Sequence, residues 1–137
     1  MNVHVFRLHP GQDLKRELEA FVNQHRIEAG WVMTCVGSLS TANIRFADKK
    51  TGTISNGPFE IISLVGTVSR NGCHLHVGVS DGNGRTIGGH LLEGNLVHTT
   101  AEIVLGESTS LAFDRVPDKL TGWRELTVTA KDTSTHE

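Results

Sequence analysis

The residues with the clearest chemical potential lie between Cys73 and Leu92, where His74, His76 and His90 flank a Gly- and Asn-rich turn. Three of the chain's eight histidines fall in this stretch. His74 and His76 stand two apart in a β-like run, so a strand points both rings to one face. His90 follows the turn and a Gly88-Gly89 pair, where an antiparallel partner strand can return it beside them. Converging neutral imidazoles bind zinc or another divalent transition metal, with metal–nitrogen distances of about 2.0–2.1 Å. The competing reading is a polar sheet face, or a subunit interface, on which the histidines merely sit.

The hairpin register separates these readings. If the loop sets Asp81 opposite Arg85, the same register sets His76 opposite His90 on one face. A two-residue turn at Gly82-Asn83 instead turns His90 away, beside Leu75, unless Gly88-Gly89 inserts a bulge. Water, Glu93, His98 and Glu102 are candidates for a fourth ligand. Arg85 is either a solvated turn residue or a visitor to a neighbouring subunit's site. With a metal present, hydrolysis or lyase chemistry with Glu93 or Glu102 as base is conceivable. Other enzyme signals are thin. Gly37-Ser38-Leu39-Ser40 lacks the Gly-x-Ser-x-Gly elbow. The glycines of residues 82–88 fit turn chemistry better than a helix-capped phosphate loop. The enzyme reading is therefore the weaker one.

These residues need a sheet to hold them. Val3 to Leu8 reads as a first strand closed by Pro10-Gly11. A helix over about residues 13–28 follows, capped by Asp13, with Leu14, Leu18, Phe21, Val22 and His25 on one face and Gly30 as its stop. Trp31 to Phe46 reads as β structure interrupted near Gly37, and residues 48–58 as a connecting loop. Phe59 to Ser69 is β with apolar residues on both faces, which suits a strand covered on both sides. Arg70-Asn71-Gly72 turns the chain into the histidine stretch. Leu96 to Leu105 alternates cleanly, with Val97, Thr99, Ala101, Ile103 and Leu105 as its core face. Short strands at Leu111 to Asp114 and Trp123 to Ala130 complete the domain, followed by a polar tail at residues 131–137. Trp31 and Trp123 read as core or interface anchors. The pattern is α+β: about six to eight strands, mostly antiparallel, with one long helix, in one domain over residues 1–130.

Composition narrows the function classes. The 137 residues carry a formal charge of −2, without the basic excess of an autonomous nucleic-acid binder. Adjacent basic pairs are limited to Lys15-Arg16 and Lys49-Lys50. The two cysteines, Cys35 and Cys73, form no Cys-x-x-Cys pattern and read as reduced thiols in a cytoplasmic protein. No apolar run reaches the length of a membrane span.

Several elements together resemble the PPC domain, also called DUF296. They are Ala29-Gly30-Trp31, Val36-Gly37-Ser38-Leu39, the run Gly57-Pro58-Phe59-Glu60-Ile61-Ile62-Ser63-Leu64-Val65-Gly66, His74-Leu75-His76-Val77, and Ile87-Gly88-Gly89-His90-Leu91. Their order spans nearly the whole chain. The resemblance implies an α+β fold assembling as a homotrimer. It also implies a regulatory module associated with DNA, since the plant members follow DNA-binding AT-hook segments. Archaeal members resemble this chain in the His-x-His and Gly-Gly-His elements, which implies a metal site. Two departures stand out. No Arg-Gly-Arg-Pro AT-hook occurs here, and Pro58 stands where the plant motif has Arg. The combined expectation is a trimeric, DNA-associated PPC module with metal ligands His74, His76 and His90, and with Glu93, His98, Glu102 and Arg85 as site-lining candidates. The alternative is a small metal-dependent enzyme or metabolite-binding trimer.

Overall fold

The structure, a computed structural model, describes residues 1–132. In chain order the elements are β1 (Asn2–Leu8), α1 (Leu14–Gln24), β2 (Gly30–Arg45), β3 (Thr53–Val68), β4 (His74–Ser80), β5 (Thr86–Leu91), β6 (Leu96–Glu107), β7 (Leu111–Pro117) and β8 (Arg124–Ala130). Six strands form one antiparallel sheet in the order β1-β6-β2-β3-β4-β5, and β5 returns to pair with the end of β2. The sheet thus closes on itself through Ile44 opposite Leu91 and Arg45 opposite His90. β7 and β8 form a separate two-stranded hairpin. Among the described residues no helix is long and apolar enough to cross a membrane.

The helix begins as the sequence indicates but ends earlier. The Asp13 carboxylate accepts from the Arg16 amide at 3.0 Å, satisfying one of the first-turn donors. Its other oxygen accepts from the Gly94 amide at 2.7 Å, so the cap also anchors the turn between β5 and β6. Leu14, Leu18 and Val22 are completely buried and form the helix's share of the core. Termination comes at Arg26, not Gly30. Arg26 adopts a positive φ of 51°. The Arg26 amide donates to the Asn23 carbonyl at 3.2 Å and the Ile27 amide to the Val22 carbonyl at 3.0 Å, the two bonds of a Schellman motif. Gly30 instead opens β2.

Two further boundaries differ from the sequence reading. β2 is one continuous strand past Gly37, bent by register shifts against β6 at Val32/Thr34, Gly37/Leu39 and Leu39/Thr41. A side chain on Gly37 would meet the Thr100 carbonyl at 2.1 Å, so glycine lets the strands stay in contact through the bend. β3 begins at Thr53, because residues 53–56 pair with 41–44 of β2. The connecting loop is correspondingly shorter. The alternation in β6 holds, with Val97, Ala101, Ile103 and Leu105 buried; Thr99 is exposed. β3 has the expected apolar residues on both faces, but only one face is covered within the chain. Phe59, Ile61 and Leu64 are buried, while Ile62 and Val65 are 60% and 54% exposed. Of the tail read at residues 131–137, residues 133–137 lie outside the described residues.

A residue bearing a Cβ pays about 1–2 kcal/mol in the left-handed region that glycine avoids. Arg26 is exposed and makes no ion pair among the described residues. Arg26→Gly is therefore expected to stabilise the fold by roughly 0.5–1 kcal/mol, after the larger chain entropy of glycine is offset. Urea denaturation with an unchanged m-value checks it; a loss of stability would refute the capping assignment.

Candidate metal centre

The favourable register is the one formed. The Asp81 amide donates to the Arg85 carbonyl at 2.9 Å, closing the loop Gly82-Asn83-Gly84. The Asp81 carboxylate also accepts from the Asn83 and Arg85 amides, both at 2.9 Å, an Asx-type turn that fixes the loop. β4 and β5 then pair without a bulge, with His76 opposite His90, Val77 opposite Gly89 and Gly78 opposite Gly88. Gly88 and Gly89 serve close approach. A side chain on Gly88 would meet the Val77 carbonyl at 2.8 Å, and one on Gly89 the Arg45 carbonyl at 2.5 Å. The pair lets β5 lie against β4 and β2 at once, which brings His90 home.

His74, His76 and His90 converge on the outer face of the closed sheet. One ring nitrogen from each lies within 4.8 Å of the other two. Ring centroids are 5.0 Å apart for His74–His76, 5.5 Å for His74–His90 and 5.9 Å for His76–His90. Tetrahedral zinc with bonds of about 2.0–2.1 Å needs its nitrogens about 3.3 Å apart. Small ring rotations close that difference, and the exposed His74 and His76 have room for them. The donor set therefore fits a divalent transition metal, with three protein nitrogens and a fourth position left for an exchangeable ligand.

The surroundings favour the neutral form of His90 and His74, the form that ligates. Burial, then the nearby Arg45 guanidinium and the other two rings, pull His90 from an ordinary 6.5 down to about 4. Burial, followed by Arg115 and His76, lowers His74 as well. Cys73 borders the same hollow, but burial lifts its thiol to about 11, so it stays protonated at neutral pH. Burial lifts Cys35 likewise to about 11.

The other sequence candidates stand elsewhere. Glu93 pairs with Arg16 at 3.1 Å, beside the helix start. His98 borders a separate hollow with Ser38, Glu60, Ser80 and Asp81. Glu102 lies on β6 opposite Val36 and Arg7. Arg85 is exposed in the turn. None of the four lines the hollows that meet at the histidines.

What does line them was not visible in the sequence. A hollow of about 540 Å³ is walled by His74 and His90 on one side and by Arg45, Arg115, Trp123 and Glu125 on the other. Arg45 is the register partner of His90 and stacks on Trp123, 5.3 Å from the ring centroid. The Arg115 guanidinium donates to the Thr67 hydroxyl at 2.8 Å, and Thr67 is the register partner of His74. Arg115 and Trp123 belong to the β7–β8 hairpin, far from the histidines in sequence. The docking of that hairpin against β3 and the β3–β4 turn carries no local signal; only the arginines and Trp123, read above as a core or interface anchor, hint at it.

For the metal-free protein, His90 is expected to remain neutral until the pH approaches about 4. Because its folded value lies below the ordinary 6.5, the unfolded chain takes up the proton first. Its contribution to stability is complete above pH 6.5 and is lost as the pH falls toward 4. Imidazole NMR titration, with thermal melts of wild type and His90→Gln over that range, checks both statements. A His90 midpoint near 6.5 would refute them.

Comparisons with known proteins establish the family and the fold. Two Synechococcus proteins, each named bifunctional protein GlmU, match 126 residues at 48% and 46% identity, covering 92% of this chain. The chain spans 20%, about a fifth, of their length. A hypothetical protein from Salmonella cholerae-suis superposes with a TM-score of 0.93 at 41% identity, covering 95% of this chain and 94% of that one. A metal-containing protein from Archaeoglobus fulgidus gives a TM-score of 0.73 at 29% identity, covering 93% and 94%. A Bacteroides thetaiotaomicron protein provisionally named DNA-binding shares the fold at 21% identity and a TM-score of 0.82, covering 92% and 91%. The family model of the Plants and Prokaryotes Conserved (PCC) domain matches residues 1–109, from β1 through β6. The chain therefore belongs to the Plants and Prokaryotes Conserved domain family, the one that its His-x-His and Gly-Gly-His elements resemble.

Proposed function

We propose that this chain is a metal-centred binding module for a small ligand, with His74, His76 and His90 holding zinc or another divalent transition metal. The observation that carries this reading is the convergence of the three ring nitrogens within 4.8 Å at the rim of an open hollow. Three protein ligands plus an open position is the composition of exchangeable and catalytic zinc sites; structural sites are closed by four. The metal-containing relative from Archaeoglobus fulgidus supports it. Glu125 is a carboxylate lining the hollows beside the histidines; the proposal is binding, with no reaction assigned.

The module acts as a homotrimer in this reading. Val5, Val36, Ile62 and Val65 lie on outward-facing positions of the main sheet and are 71%, 57%, 60% and 54% exposed. An apolar face of this kind is stabilised by burial against another subunit. Calorimetric titration of the chelator-stripped protein with zinc is expected to give one site per chain, weakened at least about 100-fold in His76→Ala, as loss of a direct ligand exceeds the 10–100-fold typical of outer-shell changes. Equal binding by both proteins would refute the assignment. Light scattering during the same preparation reads the trimer mass.

DNA association is the second reading, favoured by one observation. Lys49 and Lys50 border a hollow that reaches the histidines and Arg45, a local cationic strip on a chain of net charge −2. If the strip binds duplex DNA, anisotropy-measured affinity falls steeply with salt and Lys49→Gln/Lys50→Gln reduces the slope by about two. A flat salt dependence would remove this reading and leave the first intact.

A further inference from the structure

We infer that the ligand of the metal's open position is a small organic oxyanion, a carboxylate or phosphate ester, gripped by Arg45 and Arg115 and covered by Trp123. This rests on the metal reading above and names the ligand class of the same site.

The first argument is charge. Arg45, Arg115 and Arg124 all border the hollow beside His74 and His90. Among the described residues none of the three forms an ion pair. Glu125 is the one carboxylate in the wall they share. Guanidinium is always charged at neutral pH, so the hollow is cationic before any metal arrives. A divalent cation beside these arginines is opposed by like charge. An anion on the metal's free position reverses the sign of that interaction, attracting metal and arginines together. Water, being neutral, does not.

The second argument is geometry. The arginines are held at the histidines by their own contacts: Arg45 through the strand pairing with His90, Arg115 through Thr67 opposite His74. Arg124 donates to the Arg115 carbonyl at 2.8 Å, which bonds the two hairpin strands together at this point. Planar guanidinium forks match the two oxygens of a carboxylate or phosphate. The third argument is shape. The hollow, at about 540 Å³, is within the range of small-molecule sites and larger than an inorganic ion needs. Trp123, 62% exposed, presents an aromatic wall on the same side as the cations. An oxyanion head with an apolar or ring body fits both features. Arg115, Trp123 and Arg124 lie beyond residue 109, where the family match ends.

The test uses the full chain loaded with cobalt(II), whose visible spectrum reports its fourth ligand. Inorganic phosphate and benzoate, titrated separately in chloride-free buffer, distinguish a phosphate from a carboxylate ligand. At least one is expected to change the spectrum, with half-saturation raised about tenfold or more in Arg45→Gln, and in Arg115→Gln as a second variant. Reciprocally, the same anion is expected to tighten cobalt uptake by the wild type by the factor by which cobalt tightens binding of that anion. Cobalt loading by each variant, without added anion, shows that it is folded. Loaded protein that ignores both anions, responds equally in the variants, or responds only to duplex DNA would overturn the oxyanion assignment and leave the metal reading standing. Failure of the wild type to load cobalt would overturn the metal reading itself, and this one with it.

Discussion

The site depends on the return of β5 to the far end of β2. Two residue pairs, Ile44 with Leu91 and Arg45 with His90, make that contact. Buried Asn95 secures it. Its amide donates to the Asn43 carbonyl at 2.8 Å and the Leu92 carbonyl at 2.7 Å, and its oxygen accepts from the Asn43 amide at 3.1 Å. Each bond satisfies a polar group that burial alone would penalise. The Asn43 side chain in turn donates to the Glu93 carbonyl at 2.8 Å. The helix cap at Asp13 reaches the same turn through Gly94. Helix start, sheet closure and the placing of His90 beside Arg45 are thus one connected set of hydrogen bonds.

Much of this was legible in the sequence because it rests on local rules. The period-two spacing of His74 and His76 and the loop length from Asp81 to Arg85 were enough to set out both possible histidine arrangements. The strands, the helix start and the family followed from pattern and motif. The helix end did not, because a non-glycine Schellman cap at Arg26 has no residue-type signature. The early start of β3 was hidden for a similar reason. Residues 53–58 are polar and contain Gly57-Pro58, and pairing with β2 overrides their loop-like composition. Glu93, His98 and Glu102 were plausible partners on chemistry alone. Their separation from the histidines follows from strand order, since β6 pairs with β1 and β2, and from the pairing of Glu93 with Arg16; sequence spacing encodes neither.

The arginines are the sharper lesson. Nothing within a few residues of Arg45 or Arg115 marks it as a neighbour of a histidine cluster. The first arrives there by strand order and the second by the docking of a hairpin that has its own small sheet. Both relationships are long-range pairings. Their effect is electrostatic: after burial, Arg45 and Arg115 further lower His90 and His74 respectively, favouring the neutral state that a metal demands, while opposing the metal's own charge. Whatever occupies this face must reconcile the two.

The β7–β8 hairpin is joined to the body by backbone and polar contacts, including the Phe113 backbone amide to the Glu28 carbonyl at 2.7 Å and the Asn71 side-chain amide to the Phe113 carbonyl at 3.2 Å. None of its residues belongs to the buried core. Exposed positions away from cores and caps generally change stability by no more than about 0.5 kcal/mol when substituted. The histidine strands and the hairpin therefore differ in their tolerance of substitution. The histidines are tied to strands that cannot move without disturbing the core, whereas the wall facing them is free to be rewritten. Were a molecule bound there, a lineage could change which one is recognised without renegotiating how the protein folds.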